Sequence, residues 1–296
     1  MRRYPAITFT WLHRPDEAEL ERLTAHLDNG SLLAVDDLDG EWRAYFGSAA
    51  ARDEALAMLA GSAHAPQARA LDVADEGWAE RSQAAIQPVT VGRLVITPPW
   101  HEAAVRRRAG PDTIVIVIRP SMGFGTGHHA STRRCLSLLQ STVLTGRSVL
   151  DVGTGSGVLA IAAWALGADP VAALDNDPDA VACARENAAS NGATGISVLE
   201  SDLSSDVAGG GESKSYDVLL ANLTGATLIA IAARLAARAR PGGQLIASGL
   251  DTSERPGVVA ALGAAGWRES ACEIEEGWVG LRLERTATSP TASRGN

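Results

Sequence analysis

Apolar runs of strand length and segments with helical periodicity alternate along most of the chain after residue 100. The run Ile114–Ile118 is continuous and β-branched, which is typical of a buried strand. Regular alternation of this kind predicts an open, mostly parallel sheet with helices on both faces, a Rossmann-like α/β fold. The last two strand-like runs have no full helix between them, which predicts an antiparallel addition at one edge and a seven-stranded sheet. The predicted strands of this sheet are 148–152, 171–175, 196–200, 216–222, 244–248, 267–275 and 278–284, and the predicted helices are 131–140, 158–166, 178–191, 226–239 and 254–265.

The first 74 residues follow a different order, strand–helix–strand–strand–helix–strand. This βαββαβ order is typical of a small ferredoxin-like α+β domain. The segment carries few residues suited to catalysis, so we expect it to recognise a substrate. The predicted strands are 6–12, 32–35, 42–46 and 68–73, and the predicted helices are 15–30 and 49–60. The resulting boundaries are 1–74 for the recognition domain, 75–100 for a linker, 101–285 for the α/β domain and 286–296 for a disordered tail rich in Ser, Thr and Gly.

Composition narrows the class of protein. The net charge of −9 argues against direct binding to nucleic acid, since proteins that bind phosphate backbones are usually basic. The three cysteines, Cys135, Cys183 and Cys272, lack the spacing of metal ligands and suggest reduced thiols. No apolar run approaches the roughly 20 residues that cross a bilayer. We expect a cytoplasmic protein, monomeric, without metal and without a membrane partner.

A glycine-rich turn is the main chemical signal. The strand ending at Val152 runs into Gly153-Thr154-Gly155-Ser156-Gly157, and Asp175 closes the next strand. Glycines allow close approach of a ligand to the backbone, and a carboxylate on the next strand tip can accept hydrogen bonds from ribose hydroxyls. A dinucleotide motif would place a small residue at position 158, where this chain has Val158. The spacing therefore favours S-adenosyl-L-methionine (AdoMet) over NAD as the cofactor.

The tips of the other strands supply further candidates. We assign the ribose to Asp175, and to Asp177 the capping of the helix that begins at Pro178. Asp202 could accept a hydrogen bond from the adenine amino group, or it could be a solvated acid in a loop. Asn222 could bind the cofactor or the incoming nucleophile, or it could be a turn asparagine.

Residues 120–132 (PSMGFGTGHHAST) resemble the P-G-x-x-F-G-T-G-x-H-x-[ST]-T segment of the PrmA family, the ribosomal protein L11 methyltransferases. The resemblance continues through the glycine turn and the acid at 175, through Glu186-Asn187-Ala188 with Asn191-Gly192, and through Ala221-Asn222-Leu223. It covers most of residues 75–285. Family members usually have N-I-L-A where this chain has Asn222-Leu223-Thr224-Gly225.

This resemblance implies an AdoMet-dependent protein N-methyltransferase that modifies lysine side chains, the N-terminal amine, or both, on ribosomal protein L11. The alternatives are an enzyme of the same fold that acts on another protein or a small molecule, and a non-catalytic AdoMet-binding protein of the ribosome. An NAD-dependent oxidoreductase is the least favoured alternative. The implied AdoMet contacts are Thr132, Gly153, Asp175 and Asn222, with Phe124, Gly125 and Thr126 over the methionine end; the glycine motif and the strand tips add Gly155 and Asp202.

The sequence identifies no catalytic base. His128 and His129 could accept a proton, but we favour a structural role for both in capping the loop.

Overall fold

The structure is a computed structural model that describes residues 3–10, 27, 32–38, 41–60, 67–74, 86–119, 129–201, 203 and 215–286. The chain divides into two compact units, Met1–Ala85 and Ile86–Asn296. Each unit has its own sheet and its own buried core.

The first unit contains a four-stranded antiparallel sheet in the order β2-β3-β1-β4. This order is the one expected of a ferredoxin-like domain. The helix predicted over 15–30 lies outside the described residues, except for Leu27, which is helical and buried. The elements are β1 (Arg3–Thr10), β2 (Leu32–Leu38), β3 (Glu41–Phe46), α1 (Ala49–Ala60) and β4 (Gln67–Ala74).

One face of α1 closes the core of this unit. Ala51, Ala55 and Leu59 recur every four positions, so they lie on the same side of the helix. All three are buried in one cluster with Ile7 and Phe9 of β1. The spacing of small and apolar residues along α1 therefore sets which face meets the sheet.

The second unit begins earlier in the sequence than we expected. Residues 86–100, which the sequence suggested as part of a linker, belong to this unit and contribute two of its strands. Leu94 and Ile96 alternate along the strand and are fully buried, which fixes the segment to the core. The elements here are β5 (Val89–Val91), β6 (Leu94–Thr97), α2 (Glu102–Arg108) and β7 (Ile114–Val117), and the three strands form a sheet in the order β5-β6-β7.

The main sheet of the second unit has seven strands in the order β10-β9-β8-β11-β12-β14-β13, which confirms the prediction. The strands β8 to β12 pair with one another in parallel, and β14 pairs antiparallel with both β12 and β13. Its strands are β8 (Val149–Val152), β9 (Val171–Asp175), β10 (Ile196–Glu200), β11 (Tyr216–Asn222), β12 (Ala239–Asp251), β13 (Trp267–Glu275) and β14 (Trp278–Arg285). The accompanying helices are α3 (Ala130–Gln140), α4 (Val158–Ala165), α5 (Pro178–Ser190), α6 (Gly225–Arg238) and α7 (Arg255–Ala264).

Successive residues of the central strands enter two different cores. In β8, Val149 packs with α3, α4 and α5, whereas Leu150 and Val152 pack with α6 and α7. Because side chains alternate across a strand, both faces of β8 are buried, which favours apolar residues on each. Asp151 shares the face of Val149, so its carboxyl is surrounded by the first of these cores.

The strand order reverses between β8 and β11. From β8 the chain continues outward to β9 and β10, and then returns to place β11 on the other side of β8. In open α/β sheets the ligand crevice lies at such a switch point, beyond the carboxyl ends of the strands. No helix in the described part of the chain is long and apolar enough to cross a membrane.

Candidate cofactor site at the strand tips

The turn after β8 needs glycine for two reasons. Gly153, Gly155 and Gly157 have φ values of 69°, 53° and 82°, in the left-handed region that side chains disfavour. A Cβ atom at Gly153 would also collide with the side chain of Leu223, and one at Gly157 would lie 3.2 Å from the Cβ of Ala184 on α5. A residue with a side chain would therefore have a strained backbone at these positions, and at Gly153 and Gly157 its Cβ would also meet a close neighbour.

Asp175 sits at the tip of β9 and holds this turn. Its Oδ2 accepts a hydrogen bond from the amide of Gly155 at 2.8 Å, and its Oδ1 accepts one from the amide of Asp177 at 3.1 Å. A carboxylate has about four lone-pair sites, so capacity remains for ribose hydroxyls. Asp177 caps α5 by accepting from the amide of Asp179 at 2.9 Å, with Pro178 as first helical residue, which confirms its structural assignment.

Asn222 and Thr132 lie together, as expected for two residues of one site. Asn222 ends β11, and its Nδ2 donates to Thr132 Oγ1 in the first turn of α3 at 3.2 Å. Asn222 Oδ1 is buried and has no hydrogen-bond partner among the described residues. A buried amide oxygen without a partner is unfavourable, so this atom is suited to accept a hydrogen bond from a ligand.

Asp151 is a candidate that sequence reasoning missed. Its Oδ2 accepts from Thr154 Oγ1 at 2.6 Å and from the amide of Ala160 at 3.2 Å. Its Oδ1 is buried without a partner in the described part of the chain. Burial raises the pKa of the Asp151 carboxyl to about 6. The signal was present in the sequence, because an acid inside an otherwise apolar strand is unusual.

His129 has the structural role that we favoured. Its Nδ1 accepts from the amide of Ser131 at 3.3 Å, which caps α3, and lies 2.7 Å from Ser131 Oγ. The ring meets Trp278 edge to face, with centroids 4.3 Å apart. Burial, and then the charge of Arg133, lower the pKa of His129. His128 lies outside the described residues.

Two of the three departures from the family pattern after Asn222, at Thr224 and Gly225, have a local explanation. Thr224 caps α6, since its Oγ1 accepts from the amide of Thr227 at 3.3 Å. A Cβ at the next residue, Gly225, would lie 2.7 Å from Glu254 Oε1 and 3.2 Å from Glu254 Cβ, so glycine lets the Glu254 side chain pack closely against the start of α6. Thr224 and Gly225 therefore both act at the first turn of α6.

Four predicted contacts fall in parts of the chain that are not described. Phe124, Gly125, Thr126 and Asp202 lie outside the described residues and stay predictions. Within the described residues, no cluster of three or more His, Cys, Asp or Glu is arranged to hold a metal ion. The cysteines are free thiols; Cys135 is buried, whereas Cys272 is exposed.

The hydrogen-bond acceptors of this site are complementary to the hydrogen-bond donors of AdoMet. AdoMet presents donors, namely an α-ammonium group, ribose hydroxyls and the adenine amine. The described strand tips present acceptors to these donors, namely the unpartnered Oδ1 of Asp151 and the carboxylate of Asp175. A dianionic pyrophosphate would meet carboxylates at this edge, which is unfavourable.

Several known proteins are similar to this chain in sequence and in fold. The profile of the family described as ribosomal protein L11 methyltransferase (PrmA) matches residues 18–286. Relatives of that name from Cupriavidus metallidurans and Dechloromonas aromatica are 37% and 39% identical, covering 73% and 77% of this chain and 66% and 74% of those proteins. The crystal structure of a ribosomal protein L11 methylase from Lactobacillus delbrueckii subsp. bulgaricus has a TM-score of 0.59 at 29% identity, covering 68% of this chain and 99% of that one. The chain therefore belongs to the ribosomal protein L11 methyltransferase (PrmA) family, whose cofactor is S-adenosylmethionine.

Proposed function

We propose that this protein transfers methyl groups from AdoMet to amino groups of ribosomal protein L11, on lysine side chains, the N-terminal amine, or both. The observation that carries the proposal is the pairing of Asn222 with Thr132, which leaves a buried, unpartnered amide oxygen at the strand tips. The names of the relatives supply the identity of the acceptor. A ribosomal substrate also implies a cytoplasmic enzyme, and we propose that it acts as a monomer.

The proposed AdoMet site uses residues at or just beyond the carboxyl ends of four strands, β8, β9, β10 and β11. Asp175 binds the ribose, and the turn at Gly153 and Gly155 provides room for the ligand against the backbone. Asp151 binds the α-ammonium group, because an unpartnered buried carboxylate oxygen is stabilised by a nearby cation. Thr132 and Asn222 line the site, and Phe124, Gly125, Thr126 and the carboxylate of Asp202 complete it in our proposal.

When bound, AdoMet supplies an electrophilic methyl group on a sulfonium whose leaving group is a neutral thioether. The protein then has to position the acceptor amine and exclude water. The amine must be neutral, because an ammonium has no lone pair, and a free lysine has a pKa of about 10.4. Asn222 Oδ1 accepts a hydrogen bond from the amine N–H and so orients the lone pair, and Thr132 fixes the Asn222 amide.

The direct test is to incubate the purified protein with AdoMet and ribosomal protein L11 and to measure the intact mass of L11. We expect mass increases in steps of one methyl group, and peptide mapping should place them on amino groups. Retained AdoMet binding with an unchanged L11 mass would overturn the substrate while leaving the cofactor in place. Methylation that maps only to amides would overturn the amino-group acceptor, and methylation only of carboxylates, which have no N–H to donate, would also overturn the proposed role of Asn222.

A further inference from the structure

Helix α5 presents a stripe of small and polar residues to two separate parts of the second unit. Ala184, Asn187 and Asn191 are spaced by three and four positions, so they share one face of the helix. Ala184 packs against Gly157 in the glycine turn. The two asparagines face the last residue of β7 and the residues just after it.

Asn187 contacts both the glycine turn and the segment that follows β7. Its Nδ2 donates to the carbonyl of Ser156, inside the glycine turn, at 2.9 Å. Its Oδ1 accepts from the amide of Arg119, two residues beyond β7, at 2.9 Å. The side chain is 1% exposed, so neither hydrogen bond is open to replacement by bulk water.

The side-chain hydrogen bonds of Asn191 go to the end of β7 and to the carbonyl of Asn187, and among the described residues none goes to the glycine turn. Its Oδ1 accepts from the amide of Val117 at 2.8 Å, and its Nδ2 donates to the carbonyl of Val117 at 2.7 Å. The amide of Ile118 points the other way, to the carbonyl of Thr97 at 2.9 Å. Residues 117–119 thus alternate as a strand does, with asparagine amides of α5 replacing the missing neighbour strand.

The glycine turn is held by Asn187 of α5 and by Asp175, two residues before the cap of α5. Asp175 fixes the amide of Gly155, and Asn187 fixes the carbonyl of the following residue, Ser156. An amide is required at position 187, because the two partners are an acceptor and a donor. An aspartate would satisfy Arg119 but would repel the Ser156 carbonyl.

We infer, on the basis of the proposed AdoMet site, that Asn187 is a positioning residue for the cofactor. It fixes the Ser156 carbonyl, and with it the turn from Gly153 to Gly157, against the chain at Arg119. AdoMet affinity then depends on Asn187 through the geometry of the turn. Asn191 stabilises the same helix and the same strand end without acting on the turn.

The test compares Asn187→Asp with Asn191→Asp, which make the same chemical change four residues apart on one helix face. Each variant keeps the acceptor and loses the donor, and both should lower the melting temperature. We expect the AdoMet Kd, measured by calorimetry without any methyl acceptor, to rise at least about tenfold in Asn187→Asp and to stay within about twofold in Asn191→Asp. Equal Kd values in the two variants would overturn the inference.

A neutral pair, Asn187→Ser and Asn191→Ser, gives the same comparison without a buried charge if the aspartate variants fail to fold. Asp175→Ala serves as the reference for the site itself. Loss of AdoMet binding in Asp175→Ala with unchanged Kd in both position-187 variants would reject the role of Asn187 alone. Unchanged Kd in Asp175→Ala would reject the proposed site, and the inference with it.

Discussion

The Asn222 side chain donates from Nδ2 to Thr132 Oγ1, although the two residues lie 90 positions apart in the sequence. One ends a central strand and the other lies in the first turn of α3. Thr132 Oγ1 therefore sets the orientation of the Asn222 amide and leaves its oxygen without a partner in the described residues; in the proposed mechanism this oxygen accepts from the acceptor amine.

Replacing Thr132 with valine keeps the shape of the side chain and removes this acceptor. We expect the rate of methyl transfer at saturating AdoMet to fall about tenfold or more, because the Asn222 amide loses its fixed orientation. Steady-state kinetics with L11 measure this. Thr142→Val is the matched control, since the buried Thr142 hydroxyl donates to the carbonyl of Leu138 near the opposite end of α3. A similar loss of rate in both variants would mean that α3 is merely destabilised.

Asp151 should make AdoMet binding depend on pH. Burial raises the pKa of its carboxyl to about 6, and a bound ammonium group would favour the ionised form. Protons must then leave on binding, so affinity should increase as pH rises through about 6. Calorimetry from about pH 5 to about pH 8 should show this trend in the wild type and a flatter profile in Asp151→Asn. A wild-type profile as flat as that of the variant would contradict the contact.

The same carboxyl affects stability in the absence of AdoMet. Its folded pKa lies above the ordinary value of 3.8, so the folded state binds the proton more tightly than the unfolded state. The stabilisation is fully present below about pH 4 and is lost as pH rises through about 6, with a magnitude on the order of 3 kcal/mol. Denaturant unfolding of the wild type and Asp151→Asn across this window should converge at low pH. Parallel curves at all pH values would contradict the shifted pKa.

Gly153→Ala should impair AdoMet binding beyond its effect on stability. Gly153 has φ 69° and would bring a Cβ into the Leu223 side chain, whereas Gly192 has φ 66° and open space around it. Alanine at either position costs about 1–2 kcal/mol for the left-handed backbone. We expect the AdoMet Kd to rise about tenfold or more only in Gly153→Ala, with Gly192→Ala as the matched control. Comparable Kd values would exclude the turn from the site.

The sequence predicted the central strands of the main sheet well because both of their faces are buried. A short continuous apolar run such as 218–221 in β11 is typical of a strand buried on both faces. The boundary of the second unit was harder, because β5 and β6 are short and separated by a polar turn. The parallel pairing of β6 with β7, which the sequence does not reveal, places both strands in the second unit.

The sequence nominated candidate site residues one by one, but it could not supply the contacts among them. Resemblance named Thr132, Asp175 and Asn222, yet their hydrogen bonds depend on which strands are neighbours. The bridging role of Asn187 was hidden for the same reason, since Ser156 and Arg119 are brought to α5 by the topology of the sheet.

The central claim is that AdoMet binds at these strand tips through Asp175. Titration calorimetry of AdoMet into the wild type, Asp175→Ala and Asp177→Ala tests it most directly. Asp177→Ala removes the cap of α5, so it should lose about 1 kcal/mol of stability and keep its AdoMet Kd within about twofold. Asp175→Ala should weaken binding by at least about tenfold, because ribose hydroxyls lose a charged acceptor. Wild-type affinity in Asp175→Ala, or an equal loss in Asp177→Ala, would contradict the account.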